Sequence, residues 1–199
     1  VPAFGTTLEI EQTLSKIGIN PYAYNTTCPF VEKVWNRAGQ IGERGYSIVV
    51  HGKPNHEETR ATFSHSQSNA PTLVVKDMEQ TKLLAAYLLG ERTEETFYQD
   101  FAGQFSEGFN PAIHLQRIGV VNQTTMLASD TQAISDFLKQ TLMQKHQLDD
   151  KQIEPYFANT RDTLCYATND NQEATAGLLK EEADLAVVIG GYNSSNTAH

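Results

Sequence analysis

Several features are scarce or absent in this chain of 199 residues. Its two cysteines are too few for a disulfide framework, which indicates a reducing compartment. Acidic side chains outnumber basic ones by 24 to 15, so the basic face needed for sequence-blind nucleic-acid binding is missing and we expect no such partner. No run of about eighteen apolar residues is present to predict a membrane span. No GxGxxG or Walker sequence supports nucleotide binding.

What is present is an alternation of short apolar runs with helical patterns. The runs that predict buried strands are Ser47–His51, Thr72–Val75, Ile118–Asn122 and Leu185–Gly191. Apolar spacings of three and four residues predict helices over Pro29–Gly42, Met78–Leu89, Thr131–Met143 and Asn171–Glu182. Continuous apolar runs are typical of parallel strands covered on both faces, so the predicted fold class is doubly wound α/β.

Two stretches interrupt this alternation. Glu91–Asn110 is polar and contains glycine, and we predict an insertion or surface loop there. Asp149–Thr163 has little helical periodicity and is a candidate boundary between two modules. Since the chain begins with Val1 rather than Met and stops just after a predicted strand-to-helix turn, we expect a piece of a longer protein.

Each cysteine stands where an extended run gives way to a helical pattern. Cys28 precedes the polar cluster Asn55–Thr59, and Cys165 precedes the polar cluster Asn193–Thr197. Both separations are close to the length of a βαβ unit, about 30 residues. Because the carboxyl ends of parallel strands share one edge of a sheet, we expect sulfur and polar donors to face one cleft.

Cys28 and Cys165 have two interpretations. Free cysteine is among the most buried residue types, so both thiols could belong to the core. Alternatively, a thiol at a helix N-terminus has a lowered pKa and readily becomes the thiolate that binds iron. Two thiolates are too few for a closed zinc or iron–sulfur site, so a further ligand would come from outside this chain.

The polar clusters also have two interpretations each. His56 and Glu58 could simply begin a helix, or they could contact a phosphate and deliver a proton to a leaving hydroxyl. A helix N-terminus would lower the pKa of Glu58, whereas an enclosed apolar site would raise it. Thr124 and Thr125 follow a predicted strand and could cap a helix or direct a hydroxyl into the cleft.

The last cluster contains more polar residues than capping needs. Ser194, Ser195 and Asn196 follow a glycine pair and the clearest apolar run. Side-chain hydroxyls and amides, with backbone N–H groups, suit a terminal phosphate. We therefore favour phosphate binding over capping at these positions.

Taken in order along the chain, these motifs carry a family resemblance. The matching stretches are Pro2–Gly5, Thr26–Val31, His51–Lys53, His56–Thr59, Gln123–Met126, Cys165–Thr168 and Gly190–Thr197. The chain resembles the LytB-type 4-hydroxy-3-methylbut-2-enyl diphosphate reductases, in particular their cyanobacterial and plastid branch. Phe4 departs from the pattern, because some family members carry a phosphate-binding histidine at that position.

The resemblance implies three similar α/β modules around a [4Fe–4S] cluster held by three cysteines. Residues 1–27 would end the first module, 28–160 would form the central one, and 161–199 would begin the third. Cys28 and Cys165 match two cluster ligands, with the third outside this chain. Glu58 matches a proton donor and Thr124 a hydroxyl near the substrate oxygen. The positions that match diphosphate binding are His56, Ser194, Ser195 and Asn196, and Thr124 and Thr125 are further substrate-binding positions.

The implied reaction is reductive removal of an allylic hydroxyl as water, which yields isopentenyl and dimethylallyl diphosphates. A ferredoxin or flavodoxin-type carrier would supply the electrons, in a bacterial cytoplasm or a plastid stroma. Two other readings stay open at this point. One is a cluster-free phosphoester-binding or hydrolytic α/β domain that uses His56 and Glu58 as an acid–base pair. The other is a binding module whose thiols belong to the core.

Overall fold

The computed structural model describes residues 1–158, 165–191 and 197. Its helices are α1 Leu8–Lys16, a 3₁₀ helix Pro21–Tyr24, α2 Pro29–Glu43, α3 Glu57–Gln67, α4 Met78–Leu88, α5 Glu94–Asp100, α6 Pro111–His114, α7 Ala128–His146 and α8 Tyr166–Leu178. Its strands are β1 Ser47–His51, β2 Thr72–Val75, β3 Ile118–Asn122 and β4 Phe157–Ala158. None of the helices within these ranges is long and apolar enough to cross a bilayer.

The four strands form one parallel sheet in the order β2-β1-β3-β4. Three of them have the bounds predicted from the apolar runs, and every residue of β1 and β3 is buried. Ile48 and Val50 pack with α2 on one face, whereas Val49 packs with α4 and α7 on the other. The prediction of a parallel α/β sheet covered on both faces is therefore confirmed.

The first 28 residues contain structure that the sequence analysis missed. Thr7 caps α1 by accepting a hydrogen bond from the Ile10 amide. The helix then lies against α3, where Ser64 Oγ accepts from the Leu8 amide at 3.0 Å. The N-terminal helix is thus tied to α3, which itself contacts β1 and β2.

The stretch Glu91–Asn110 differs from the predicted surface loop. Phe97 and Phe101 are fully buried, and Phe109 stacks on Phe97. The chain then runs antiparallel along the outer edge of β2, where the Val74 amide donates to Gln104 O at 2.7 Å. The prediction of a surface loop was wrong, because phenylalanines spaced by four residues place their rings together even in a stretch of polar composition. That the stretch is an insertion stays a prediction.

The predicted strand Leu185–Gly191 is also absent from the described structure. Val187, Val188 and Ile189 are 72%, 74% and 91% exposed, and the stretch pairs with no other described strand. A parallel strand is held by hydrogen bonds to its neighbours, and among residues 1–158 and 165–191 this run has no neighbouring strand. The proposed division into residues 1–27, 28–160 and 161–199 stays a prediction.

Candidate functional site

The candidate site lies at the carboxyl edge of the sheet, where β1 and β3 end side by side. His51 and Asn122 are paired in register at this edge, so the loops that follow them leave the sheet at the same place. The loop after β1 leads to His56 and α3, and the loop after β3 contains Thr124 and Thr125. The structure therefore brings together four of the predicted site residues, His56, Glu58, Thr124 and Thr125. That the two sulfurs face the same cleft stays a prediction.

Glu58 is the most enclosed acidic group of this site. It lies in the first turn of α3 with 1% of its surface exposed. One carboxyl oxygen, Oε1, accepts a hydrogen bond from the backbone amide of Thr124. The other, Oε2, is buried and has no hydrogen-bond partner among the described residues. Burial raises the pKa of the Glu58 carboxyl, and the hydrogen bonds from Thr124 act in the opposite direction.

His56 is the N-cap residue of α3. Its Nδ1 atom accepts from the Glu58 amide at 3.2 Å, so this nitrogen is unprotonated and the neutral ring carries its proton on Nε2. Burial is the main cause that lowers the His56 pKa; Lys53 lowers it further and Glu57 opposes the change. This ring also meets Phe4 in a T-shaped arrangement, with 5.3 Å between the ring centroids.

Gln123 connects the two loops, and the sequence analysis did not single out its role. The residue is fully buried, and its Oε1 accepts from the Lys53 amide at 3.1 Å and from Thr59 Oγ1 at 2.9 Å. Its Nε2 donates to Thr125 Oγ1 at 2.5 Å. A single amide side chain thus fixes the His56 loop relative to the threonine pair.

Gly52 is required by this close packing. A Cβ atom at this position would lie 2.5 Å from Thr59 Oγ1 and 3.0 Å from the Gln123 Cβ. We therefore expect Gly52→Ala to destabilise the fold by about 1–3 kcal/mol, the usual range for overpacking. Urea unfolding measures this change in free energy.

Gly39 provides the matched control for Gly52. It lies within α2, and an added Cβ would meet only Asn69 Nδ2, at 4.0 Å. Gly39→Ala is expected to stabilise the fold by about 0.5–1 kcal/mol, because alanine loses less backbone entropy in a helix. Equal unfolding free energies for the two variants would contradict the argument for Gly52.

Both cysteines stand at helix N-termini, as predicted. Cys28 is the N-cap residue of α2 and Cys165 that of α8, and neither thiol makes a capping hydrogen bond. Each is half-buried and neither forms a disulfide. A free, partly exposed sulfur at the start of a helix is the kind of soft ligand that iron and zinc accept, so each residue suits a metal ligand chemically.

The described residues do not assemble a complete metal site. Within the described part of the chain, no group of three His, Cys, Asp or Glu side chains could hold a metal ion. Two thiols fit an iron–sulfur cluster only as part of a larger set of ligands. Cys165 begins α8, and its membership of the site stays a prediction. Ser194, Ser195 and Asn196 lie outside the described residues, so their roles stay predictions.

Comparisons with known proteins agree with these motifs. A model of the family described as LytB protein matches residues 1–199. A 4-hydroxy-3-methylbut-2-enyl diphosphate reductase of Synechococcus sp. is 43% identical over 199 residues, which is 100% of this chain and 47% of the relative. The same enzyme of Gloeothece citriformis is 41% identical over 100% of this chain and 48% of the relative. The chain thus spans about half the length of the curated relatives it matches.

Two solved structures share the fold. The E-1-hydroxy-2-methyl-but-2-enyl-4-diphosphate reductase of Plasmodium falciparum superposes with a TM-score of 0.64 at 21% identity, covering 98% of this chain and 48% of that one. A structure of (E)-4-hydroxy-3-methyl-but-2-enyl diphosphate reductase gives a TM-score of 0.50 at 26% identity, covering 98% of this chain and 54% of that one. The predicted resemblance is confirmed over the full length: the chain belongs to the LytB protein family.

Proposed function

We propose that this chain is the part of a 4-hydroxy-3-methylbut-2-enyl diphosphate reductase that delivers the proton to the substrate hydroxyl and holds part of the diphosphate. The observation that carries the proposal is the buried Glu58 carboxyl, with one oxygen on the Thr124 amide and the other without a described partner. Burial raises the pKa of this carboxyl and so favours the protonated form, which can donate to a leaving oxygen.

In this reaction the allylic C–O bond breaks and the oxygen leaves as water. One proton completes that water, and two electrons with a second proton form the new C–H bond. Glu58 supplies the proton to the leaving oxygen, while the Thr124 hydroxyl orients that oxygen. His56 in its neutral form donates Nε2–H to the diphosphate, assisted by Thr125 and by Ser194, Ser195 and Asn196.

Cys28 and Cys165 would hold a [4Fe–4S] cluster, together with ligands other than this chain's two cysteines. When bound, the cluster would supply electrons one at a time and a Lewis acid at the leaving oxygen. A ferredoxin or flavodoxin-type protein would transfer electrons to the cluster after each turnover. The identity to cyanobacterial relatives supports a bacterial cytoplasm or a plastid stroma as the compartment.

The decisive experiment is an anaerobic turnover assay of the intact protein with 4-hydroxy-3-methylbut-2-enyl diphosphate and a one-electron reductant. We expect isopentenyl and dimethylallyl diphosphates as products, measured by mass spectrometry. Release of inorganic phosphate that does not depend on the reductant would instead support the hydrolytic reading of His56 and Glu58. Absence of both products and phosphate would overturn the proposal.

A further inference from the structure

The segment Val1–Gly5 contacts both the residues Thr26–Cys28, which form no strand, and the loop that contains His56. The Cys28 amide donates to Ala3 O at 2.9 Å, and the Thr26 hydroxyl donates to Val1 O at 2.6 Å. The next side chain, Phe4, meets His56 with an interplanar angle of 78°. The neighbours Ala3 and Phe4 therefore contact Cys28, a candidate metal ligand, and His56, a candidate diphosphate ligand.

This segment is anchored from the other side by an aromatic pair. Gly5 has a φ of +77° and packs directly on the Trp35 ring, where a Cβ would clash. Trp35 in turn stacks on His65 at 3.7 Å between ring centroids, and His65 Nε2 lies 3.1 Å from Thr6 O. The backbone on the carboxyl side of Phe4 is thus fixed, although the Phe4 side chain itself is 43% exposed. Its position therefore depends on the Pro2–Gly5 turn, closed by the hydrogen bond from the Gly5 amide to Pro2 O, and on the contact with His56.

We propose that Phe4 is a positioning residue for His56. Its ring holds the imidazole in the orientation that caps α3 and keeps Nε2–H as the donor for the substrate diphosphate. An edge-to-face pair is directional, so it restricts rotation of the imidazole as well as covering one side of it. This inference rests on the proposed function for its choice of ligand, but not for the contact itself.

The capping bond explains why orientation matters. Protonation of Nδ1 would set an N–H against the Glu58 amide N–H, so the cap exists only while the ring is neutral. The charged groups that face His56 are Lys53, which lowers its pKa, and Glu57, which raises it. Phe4 adds apolar cover, and its removal returns water to the ring, which favours the charged form.

The test compares Phe4→Ala and Phe4→Leu with Tyr24→Ala in the intact protein. Tyr24 belongs to the same N-terminal region and is 77% exposed, so its removal controls for loss of an aromatic ring. NMR of isotope-labelled histidine, assigned with His56→Gln, gives the pKa and tautomer of His56 without any ligand. Calorimetry with inorganic pyrophosphate gives the affinity.

We expect the His56 pKa to rise in Phe4→Ala, less in Phe4→Leu and not in Tyr24→Ala. Pyrophosphate affinity should fall about two- to tenfold in Phe4→Ala, the range for loss of one aromatic pair. An unchanged His56 pKa and tautomer in both Phe4 variants overturns the inference. If Phe4→Ala does not fold, Phe4→Leu alone tests whether the aromatic ring positions His56. Failure of the parent protein to bind pyrophosphate would count against the diphosphate role of the site, whereas the histidine titration still tests the contact.

Discussion

Glu58→Gln is expected to lower turnover by about 10²–10⁴-fold, the usual contribution of a positioned general acid. Glutamine has nearly the same shape, and its carbonyl can still accept the Thr124 amide proton. Its amide group, however, has no acidic proton to give to a leaving oxygen. We therefore expect kcat to fall while KM changes little, because substrate binding does not need the proton. Steady-state turnover of the intact protein under anaerobic conditions measures both.

Glu57→Gln is the matched control, since it makes the same chemical change one residue away. Glu57 is exposed and pairs loosely with Arg60 at 3.6 Å, so its substitution should leave turnover within about twofold. If Glu58→Gln and Glu57→Gln behave alike, Glu58 is not the proton donor.

Glu58→Gln should also change how the stability of the fold depends on pH. Because the folded-state pKa of Glu58 is raised above its ordinary value of 4.5, the unfolded chain gives up this proton first as pH rises. The Glu58 contribution to stability therefore falls from about pH 4.5 up to the folded-state pKa. Glutamine has no such loss, so the variant should gain stability relative to the parent as pH rises through that window. Urea unfolding at about pH 5 and pH 8 measures the difference, and a gap that is constant with pH would contradict the raised pKa.

The central sheet could be predicted from sequence because its strands are buried on both faces. Each appears as a continuous apolar run with sharp polar ends, so the bounds of β1 and β3 follow from composition alone. The run Leu185–Gly191 has the same composition but no strand in the described structure. A parallel strand depends on neighbours that its own sequence does not encode, which is why this pattern alone was insufficient.

The site was predictable to the extent that it depends on the sheet edge. Chain order and strand direction predicted that His56 and Glu58 lie at the carboxyl edge of the sheet, whereas Thr124 was left open between capping a helix and facing the cleft. The hydrogen bonds of Gln123 and the contact of Phe4 with His56 could not be foreseen, because each joins residues far apart in sequence through side-chain orientation. The direction of the Glu58 pKa shift was equally open, since only the observed burial shows that desolvation exceeds the opposing hydrogen bonds.

Cys28→Ser is expected to separate cluster binding from folding. Serine is a preferred N-cap residue, and Cys28 begins α2 without a side-chain capping bond. The variant should therefore unfold at a free energy equal to the parent or up to about 1 kcal/mol higher, compared without iron. Serine lacks the soft thiolate that binds iron, so iron content, sulfide content and visible absorbance should fall together. Loss of a residue that only hydrogen-bonds to a metal ligand typically lowers activity roughly 10–100-fold, and loss of the ligand itself should lower it further.

Thr27→Ser is the control for this substitution, because it keeps a hydroxyl next to Asn25 Oδ1 and removes only a methyl group. It should retain iron and turnover, whereas Cys165→Ser, at the start of α8, should repeat the loss seen with Cys28→Ser. Full iron content and activity in both serine variants would show that neither cysteine binds the cluster, and would favour the cluster-free hypothesis. Loss in one variant alone would limit the metal role to that cysteine.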